Sequence, residues 1–354
     1  MPHNSEREPR IVDRAASPRA VSIRTVAERA GVSIATVSNV LNSRTRVGEE
    51  LSLRVRAAVE ELGYVADGTA SRLRSRKQAL AGVVVPDLKN SFFASFVSTL
   101  EQVARLDGFD LLVVSSANDP QQEAARLRAI RSWRPAGLIV IPCDGAFTER
   151  LPSWGLPIVL VDRLPDDAHF DMVAVDNKAA SASMIRHLAE MGASSCVVVA
   201  NCLRIGNIRE RLDGIREAAG STMDVTVLET GLDPSTIRRR IDTLMATSPL
   251  PDAIFALDNI TTRVVFELLG PRLRAQPRGI ALASFDDEEW MALVTPSITA
   301  VRQPVEAMAV AAWTQLVGRL KGDDGPHRMM ELPCRIVMRG STSRHEGERR
   351  DSTS

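Results

Sequence analysis

From Ala81 onward, short β-branched apolar runs alternate with helical patterns, and that alternation leaves few folds open. The runs are GVVVPD (82–87), DLLVVSS (110–116), GLIVIP (137–142), PIVLVD (157–162), CVVVA (196–200), VTVLE (225–229), AIFALD (253–258) and GIALASFD (279–286). Helical segments such as Phe92 to Leu106 and Asn177 to Met191 separate them. A strand that is apolar on both faces must be covered on both, and parallel neighbours need a crossover helix between them. The pattern predicts an α/β architecture. Eight or more strands divide best between two doubly wound subdomains, with a cleft where the carboxyl ends of the strands meet.

The first part of the chain has no strand signal. Between about 21 and 64 the periodicity is helical. In IRTVAERAGVSIATVSNVLN (23–42), Val26, Ala27 and Ala30 give a short helix one apolar face. Gly31 permits the positive φ of a tight turn. Ser33 can cap a second helix whose Val37, Val40 and Leu41 point inward. A third helix, Glu49 to Leu62, carries Val55, Ala58, Val59 and Leu62 as its stripe, and Gly63 stops it. Three short helices with a glycine turn between the first two form a helix-turn-helix; a plain three-helix bundle is the competing reading. The outward face of the second helix favours the former. Ile34, Ala35, Thr36, Ser38 and Asn39 are short and uncharged, which suits base edges in a major groove. Ser33 joins that face, and Arg24, Thr25 and Arg44 flank it as phosphate contacts.

Charge agrees with this division. Residues 1–77 hold 14 Arg/Lys against 9 Asp/Glu, and the remainder holds 30 against 35. A basic segment on an acidic body suits a polyanion partner such as double-stranded DNA at the first segment only, and a solvated basic face would carry the same excess.

The runs TVAERAGVSIATVSNVLN, VRAAVEELGY and ASRLRS resemble the lactose-repressor (LacI/GalR) family of transcription regulators. The resemblance extends over about residues 21–342. It implies that the stretch after the third helix folds into a hinge helix on DNA, with Leu73, between Ala70 and Arg74, wedging into the minor groove. An apolar wedge among arginines can unstack a base step, and a helix this short forms only when DNA and a partner hinge support it. Two departures bear on the operator sequence and not on the fold. Asn39 stands where the family most often has Arg, and Asn favours adenine over guanine. Ala66-Asp67 replaces the usual Pro-Asn before the hinge.

GVVVPDLKNSFF, IVLVDR, AVDNKAA, RERLDG, PDAIFALDN, ALASFDDEEW and PSITAVRQP resemble the same family's periplasmic-binding-protein-like core. The resemblance implies domains at 21–65 (helix-turn-helix), 66–79 (hinge and linker) and 80–342 (effector core), with disordered tails at 1–20 and 343–354. Within the core, one subdomain takes about 80–175 and 303–332, and the other about 176–302 and 333–342. It also implies an effector held by Arg211 and Asp286. Asp162 and Arg163 end a strand, Asn90 and Phe93 lie in the first strand–helix loop, and Trp290 offers a stacking platform. Asp258 stands where many members carry Asn. Carboxylates, guanidiniums and aromatics together favour a sugar or sugar acid over a purine.

Other function classes find little support. No G-x-G-x-x-G, P-loop or G-x-S-x-G run occurs, and no nucleophile has an evident base, so catalysis is not expected. Four scattered cysteines lack metal-ligand spacing and read as reduced thiols of a cytoplasmic protein, with neither metal nor cofactor implied. No apolar run approaches a membrane span, and the polar start has no signal-peptide core. The expectation is a dimeric repressor of a palindromic operator. An activator or dual regulator, a tetramer, and more distantly a solute receptor are the alternatives.

Overall fold

The computed structural model describes residues 22–42, 47–62, 64, 79–151, 155–165, 169–273 and 279–343. Arg44, Gly63, the hinge positions Ala70, Leu73 and Arg74, and both tails lie outside the described residues. The chain forms two compact units, residues 1–78 and 79–354.

The first unit holds α1 (Ile23–Ala30), α2 (Ile34–Asn42) and α3 (Glu49–Leu62). Ser22 caps α1, its Oγ accepting from Thr25 N at 3.3 Å. Gly31 leaves α1 at φ 65°, where a side chain would be strained, and Val32 N–H donates back to the Ala27 carbonyl at 3.0 Å. Ser33 Oγ accepts from Thr36 N at 3.1 Å and starts α2. Val26, Ala27, Ala30, Val37, Val55 and Ala58 are buried together, with Val32, Val40, Leu41, Val59, Leu62 and Tyr64 packed against them. Arg54 on α3 donates to the Ala30 carbonyl at 2.6 Å, placing a cation at the negative end of α1.

In the second unit, each lobe is a six-stranded sheet with an apolar cluster on each face. The first sheet has the order β11-β5-β4-β3-β1-β2, all parallel. Its strands are β1 (Ala79–Val85), β2 (Phe109–Ser115), β3 (Gly137–Val140), β4 (Ile158–Val161), β5 (Asp171–Val175) and β11 (Met329–Leu332). The second sheet has the order β12-β10-β9-β8-β6-β7. It contains β6 (Ser195–Ala200), β7 (Asp224–Glu229), β8 (Ala253–Ala256), β9 (Ala281–Phe285), β10 (Thr299–Arg302) and β12 (Arg335–Val337), only the last antiparallel. The helices are α4 (Ser91–Leu106), α5 (Pro120–Arg131), α6 (Phe147–Arg150), α7 (Asn177–Glu190), α8 (Gly206–Ala219), α9 (Pro234–Thr247), α10 (Asn259–Leu273) and α11 (Val305–Leu320).

All eight apolar runs are strands. The sequence reading did not single out β5, β10, β11 and β12, which have three to five residues each. β11 and β12 sit at sheet edges and are largely exposed, so they lack the apolar signature of a covered strand.

The chain passes between the lobes three times: after β5 into α7, after β10 into α11, and between β11 and β12. Met308, Trp313 and Leu316 of α11 belong to the first lobe's core, although α11 follows every strand of the second sheet except β12 in sequence.

Candidate functional site

Two surfaces carry chemistry, one in each unit. On the first, Ser33, Ile34 and Ala35 at the start of α2 are exposed, and Thr36, Ser38 and Asn39 are half-buried. Ile34 is 43% exposed, an apolar side chain in water at the helix N-terminus. Arg24 and Thr25 are exposed on α1. The Thr25 hydroxyl lies 3.0 Å from Ser22 Oγ and the Thr36 hydroxyl 2.8 Å from Ser33 Oγ, so both caps are tied locally. The face combines hydroxyls, an amide and small apolar groups with free N-terminal N–H groups, which suits groove edges and phosphate oxygens. Ser22, at the α1 cap, was not singled out by sequence, although Ser before an apolar-periodic helix is its usual signal.

The second surface is the cleft between the lobes of the core, a narrow space of about 40 Å³. Asn90, Phe93, Asp162, Arg163, Arg211, Asp258 and Asp286 all line it. The structure does not place Trp290 there. Its indole packs on Phe266 (5.5 Å between centroids) and donates to Glu288 at 2.6 Å. Phe92 lines the cleft as well as packing in the first lobe's core.

The strand-end rule explains the convergence. Asp162 and Arg163 follow β4, Asp258 follows β8, Asp286 follows β9, and Gln303 follows β10. Asp162 and Asp286 hold φ of 64° and 75°, left-handed values that are costly for most side chains but better tolerated by Asp. Asn90 caps α4, its Oδ1 accepting from Phe92 N at 2.9 Å.

The charges in the cleft are tied to neighbours, and all but the half-buried Asp286 are buried. Arg211, 2% exposed, donates from Nε to Asn177 (2.8 Å) and from Nη1 to the Leu257 carbonyl (2.7 Å). Its guanidinium lies 3.5 Å from the centre of the Phe285 ring. Arg163 donates to Asn118 Oδ1 at 2.9 Å and lies 5.3 Å from the Phe93 centroid. Burial lowers its pKa, an effect that Asp162 opposes. Asp258 accepts from Thr261 N (2.8 Å) and Oγ1 (2.6 Å), and burial still raises its pKa. Burial pushes Asp286 up to about 6, against the pull of Arg211 and a 2.5 Å hydrogen bond from Gln303 Nε2.

Asn118, Asn201, Asn207 and Gln303 also line the cleft and were missed by sequence. Asn118 and Asn201 sit just beyond β2 and β6, so the strand-end rule was the available signal. Asn207 Nδ2 crosses the cleft to Asp162 Oδ1 at 3.0 Å. Two buried acceptors here, Asn207 Oδ1 and Gln303 Oε1, have no donor among the described residues. Asp286 Oδ1, by contrast, is taken by Gln303. The arrangement can receive hydrogen bonds from a multiply hydroxylated molecule, with the guanidiniums available to its oxygens. No cluster of possible metal ligands occurs among the described residues.

Comparison with known proteins agrees with both surfaces. Residues 22–67 match the model described as bacterial regulatory proteins, lacI family. Residues 78–259 match periplasmic binding proteins and sugar binding domain of LacI family, and residues 185–342 a periplasmic binding protein-like domain. The HTH-type transcriptional regulator PtxS of Pseudomonas putida is 32% identical over 330 residues, covering 91% of this chain and 96% of the relative. KdgR of Bacillus subtilis, also an HTH-type transcriptional regulator, is 27% identical over 333 residues, covering 90% and 97%. In fold, the chain is similar to the Lac repressor dimer bound to operator and the anti-inducer ONPF. The TM-score is 0.77 at 20% identity, over 92% of this chain and 100% of that one. With a helix-turn-helix in the first unit, a two-lobed core in the second and relatives matched along nearly their whole length, the chain belongs to the LacI family as a DNA-binding transcriptional regulator.

Proposed function

We propose that this regulator is a homodimeric repressor of a palindromic operator, released or engaged by a polyhydroxylated carbohydrate in the interlobe cleft. The observation that carries the ligand class is the acceptor surplus: Asn207 Oδ1 and Gln303 Oε1, both buried and undonated, stand beside three carboxylates. An unpaired buried acceptor costs about 1–3 kcal/mol, and hydroxyl donors remove that cost. Asp162, Asp258, Asp286, Asn90, Asn118, Asn207 and Gln303 take the hydroxyls in this reading. Arg163 and Arg211 face ring or carboxylate oxygens, and Phe93 covers a sugar face. Structural neighbours support the class: CelR was solved with cellobiose, and Cra from Pseudomonas putida with fructose 1-phosphate.

On DNA, the α2 face (Ser33 to Asn39) reads the half-site, and Arg24, Thr25 and Arg44 hold phosphates. Ala70, Leu73 and Arg74 act in the minor groove. A two-fold dimer presents two such faces and so demands a palindrome. Lac repressor was itself solved as an operator-bound dimer. A tetramer is not required. The protein works in the cytoplasm as a switch, without chemistry of its own.

A thermal-shift and calorimetric screen of neutral sugars, sugar acids and purines tests the cleft reading. A carbohydrate that raises the melting temperature in wild type, and fails to do so in Gln303→Leu, supports it. A purine alone doing so refutes it.

A further inference from the structure

Beside the ligand-lining residues, a second set of side chains ties the lobes together. Asn90 of the first lobe and Asn259 of the second form a reciprocal amide pair. Asn90 Nδ2 donates to Asn259 Oδ1 at 3.2 Å, and Asn259 Nδ2 donates to Asn90 Oδ1 at 2.9 Å. Asn259 Nδ2 also reaches Ser91 Oγ (3.1 Å) and Glu288 Oε1 (3.0 Å). Ser91 Oγ donates to the same Glu288 oxygen, and the Trp290 indole holds the other at 2.6 Å. Glu288 is therefore a second-lobe carboxylate oriented from behind by Trp290 and bonded in front to the first lobe.

We propose that Asn90, Ser91, Asn259, Glu288 and Trp290 form a latch that sets the closed angle between the lobes and must break for the cleft to open. Three features support this. The bonds are charge-assisted at Glu288 and converge on one point, so they are lost together when the lobes part. Asn90 and Asn259 sit at the starts of α4 and α10, rigid elements of opposite lobes, so the latch reports lobe angle and not loop position. The latch residues adjoin the cleft: Asn259 lies between Asp258 and Ile260, and Glu288 is two residues beyond Asp286, all three of which line it. A molecule that moves Asp258 or Asp286 therefore moves the latch. Ser91, Asn259, Glu288 and Trp290 are positioning residues, whereas Asn90 belongs both to the latch and to the cleft lining.

The test uses the full-length chain with no added sugar. Spin labels go on Leu106→Cys in the first lobe and Leu250→Cys in the second, both exposed, in a Cys202→Ser, Cys334→Ser background. Labelled chain is diluted with unlabelled chain, so that distances within one chain dominate. Double electron–electron resonance should give one narrow interlobe distance with the latch intact. In Glu288→Ala and in Asn259→Ala a longer distance should appear, the open fraction rising on the order of tenfold, the equivalent of one charge-assisted bond. Trp290→Phe, which keeps a ring on Phe266, should give a smaller rise in the same direction. Each variant is read only if its core still melts cooperatively, and the mild Ser91→Ala serves if Asn259→Ala does not fold. Distance distributions unchanged from wild type in the folded Glu288 and Asn259 or Ser91 variants would overturn the latch.

Discussion

The two surfaces of this regulator handle polar groups in opposite ways. In the helix-turn-helix the buried set is wholly apolar, Val26, Ala27, Ala30, Val37, Val55 and Ala58, and the reading face stands in water. In the cleft the polar groups are themselves buried: Asp162, Arg163, Asn207, Arg211, Asp258 and Gln303 are all under 9% exposed. DNA is a large partner that comes to an open face, so the side chains that read it carry little of the fold. A small ligand must be enclosed, so the groups that read it are woven into the core's own hydrogen bonds. Binding and stability are thus separable in the first unit and entangled in the second.

The largest effect expected tests the separation of the two units from each other. Val37→Asp puts a charge where the first unit is fully buried, at a cost on the order of 4 kcal/mol, enough to unfold three short helices. Operator binding should fall at least on the order of a hundredfold, while calorimetry shows the core's transition and ligand response unmoved. A shifted core transition would break the separation. Next comes Arg211→Ala, which leaves Asn177 Oδ1 and the Leu257 carbonyl without their donor and opens space against Phe285. The core should lose about 3 kcal/mol together with its response to ligand. Loss of response at unchanged stability would show the cleft to be as separable as the DNA face.

Asp286 gives a pH signature of the entanglement. Burial raises its pKa from 3.8 to about 6, so the folded chain holds this proton more tightly than the unfolded one. Its contribution to stability is fully present below pH 3.8 and is lost as pH rises through about 6. Asp286→Asn, whose side chain tolerates the same positive φ, should remove that slope and leave the core more stable than wild type above pH 6, by roughly 3 kcal/mol at most. Urea melts between pH 4 and 8 check it; parallel wild-type and variant curves would refute the buried-carboxylate reading. The smallest effect on the fold is expected at Asn39→Ala. It should relax base discrimination at one operator position by about 1–3 kcal/mol and move the melting transition scarcely at all. Selection from a randomised half-site reads the first quantity and calorimetry the second.

What could be read from sequence follows the range of the interactions involved. The helix-turn-helix was legible because its determinants are local: Gly31, the Ser33 cap, and the spacing of Val37, Val40 and Leu41. β5 and β10, buried but only four or five residues long, were not singled out. The eight runs were legible as β-branched apolar stretches, six of them covered strands and two, β2 and β7, partly exposed sheet edges. β11 and β12 were not, since an exposed edge strand such as MMEL looks like any half-polar segment. In the cleft, Arg211 and Asp286 were marked by the family resemblance, and Asp162 and Arg163 by their place at the end of a strand. Of the amides, Asn118, Asn201 and Gln303 had only their places beyond strand ends as a signal, and Asn207, inside α8, had none. Trp290 shows the converse: its ring is beside Phe266 and its N–H on Glu288, a partnership that spacing does not encode.

The threefold passage between lobes has a consequence for synthesis. A ribosome releases the chain N-terminus first, and the helix-turn-helix is complete once residue 64 has emerged. The first lobe is not. Its sheet waits for β11, and its core for Met308, Trp313 and Leu316 of α11, all of which follow every strand of the second sheet except β12. At 5–20 residues per second, translation from β5 to β11 occupies on the order of 10 s. During that interval Ile139, Val159 and Val173 lack one of their covering helices, while the finished DNA-reading unit is already outside. The nascent chain is therefore most exposed to aggregation and proteolysis midway through its core, and a truncation before residue 305 yields a reading head on an unfinished lobe.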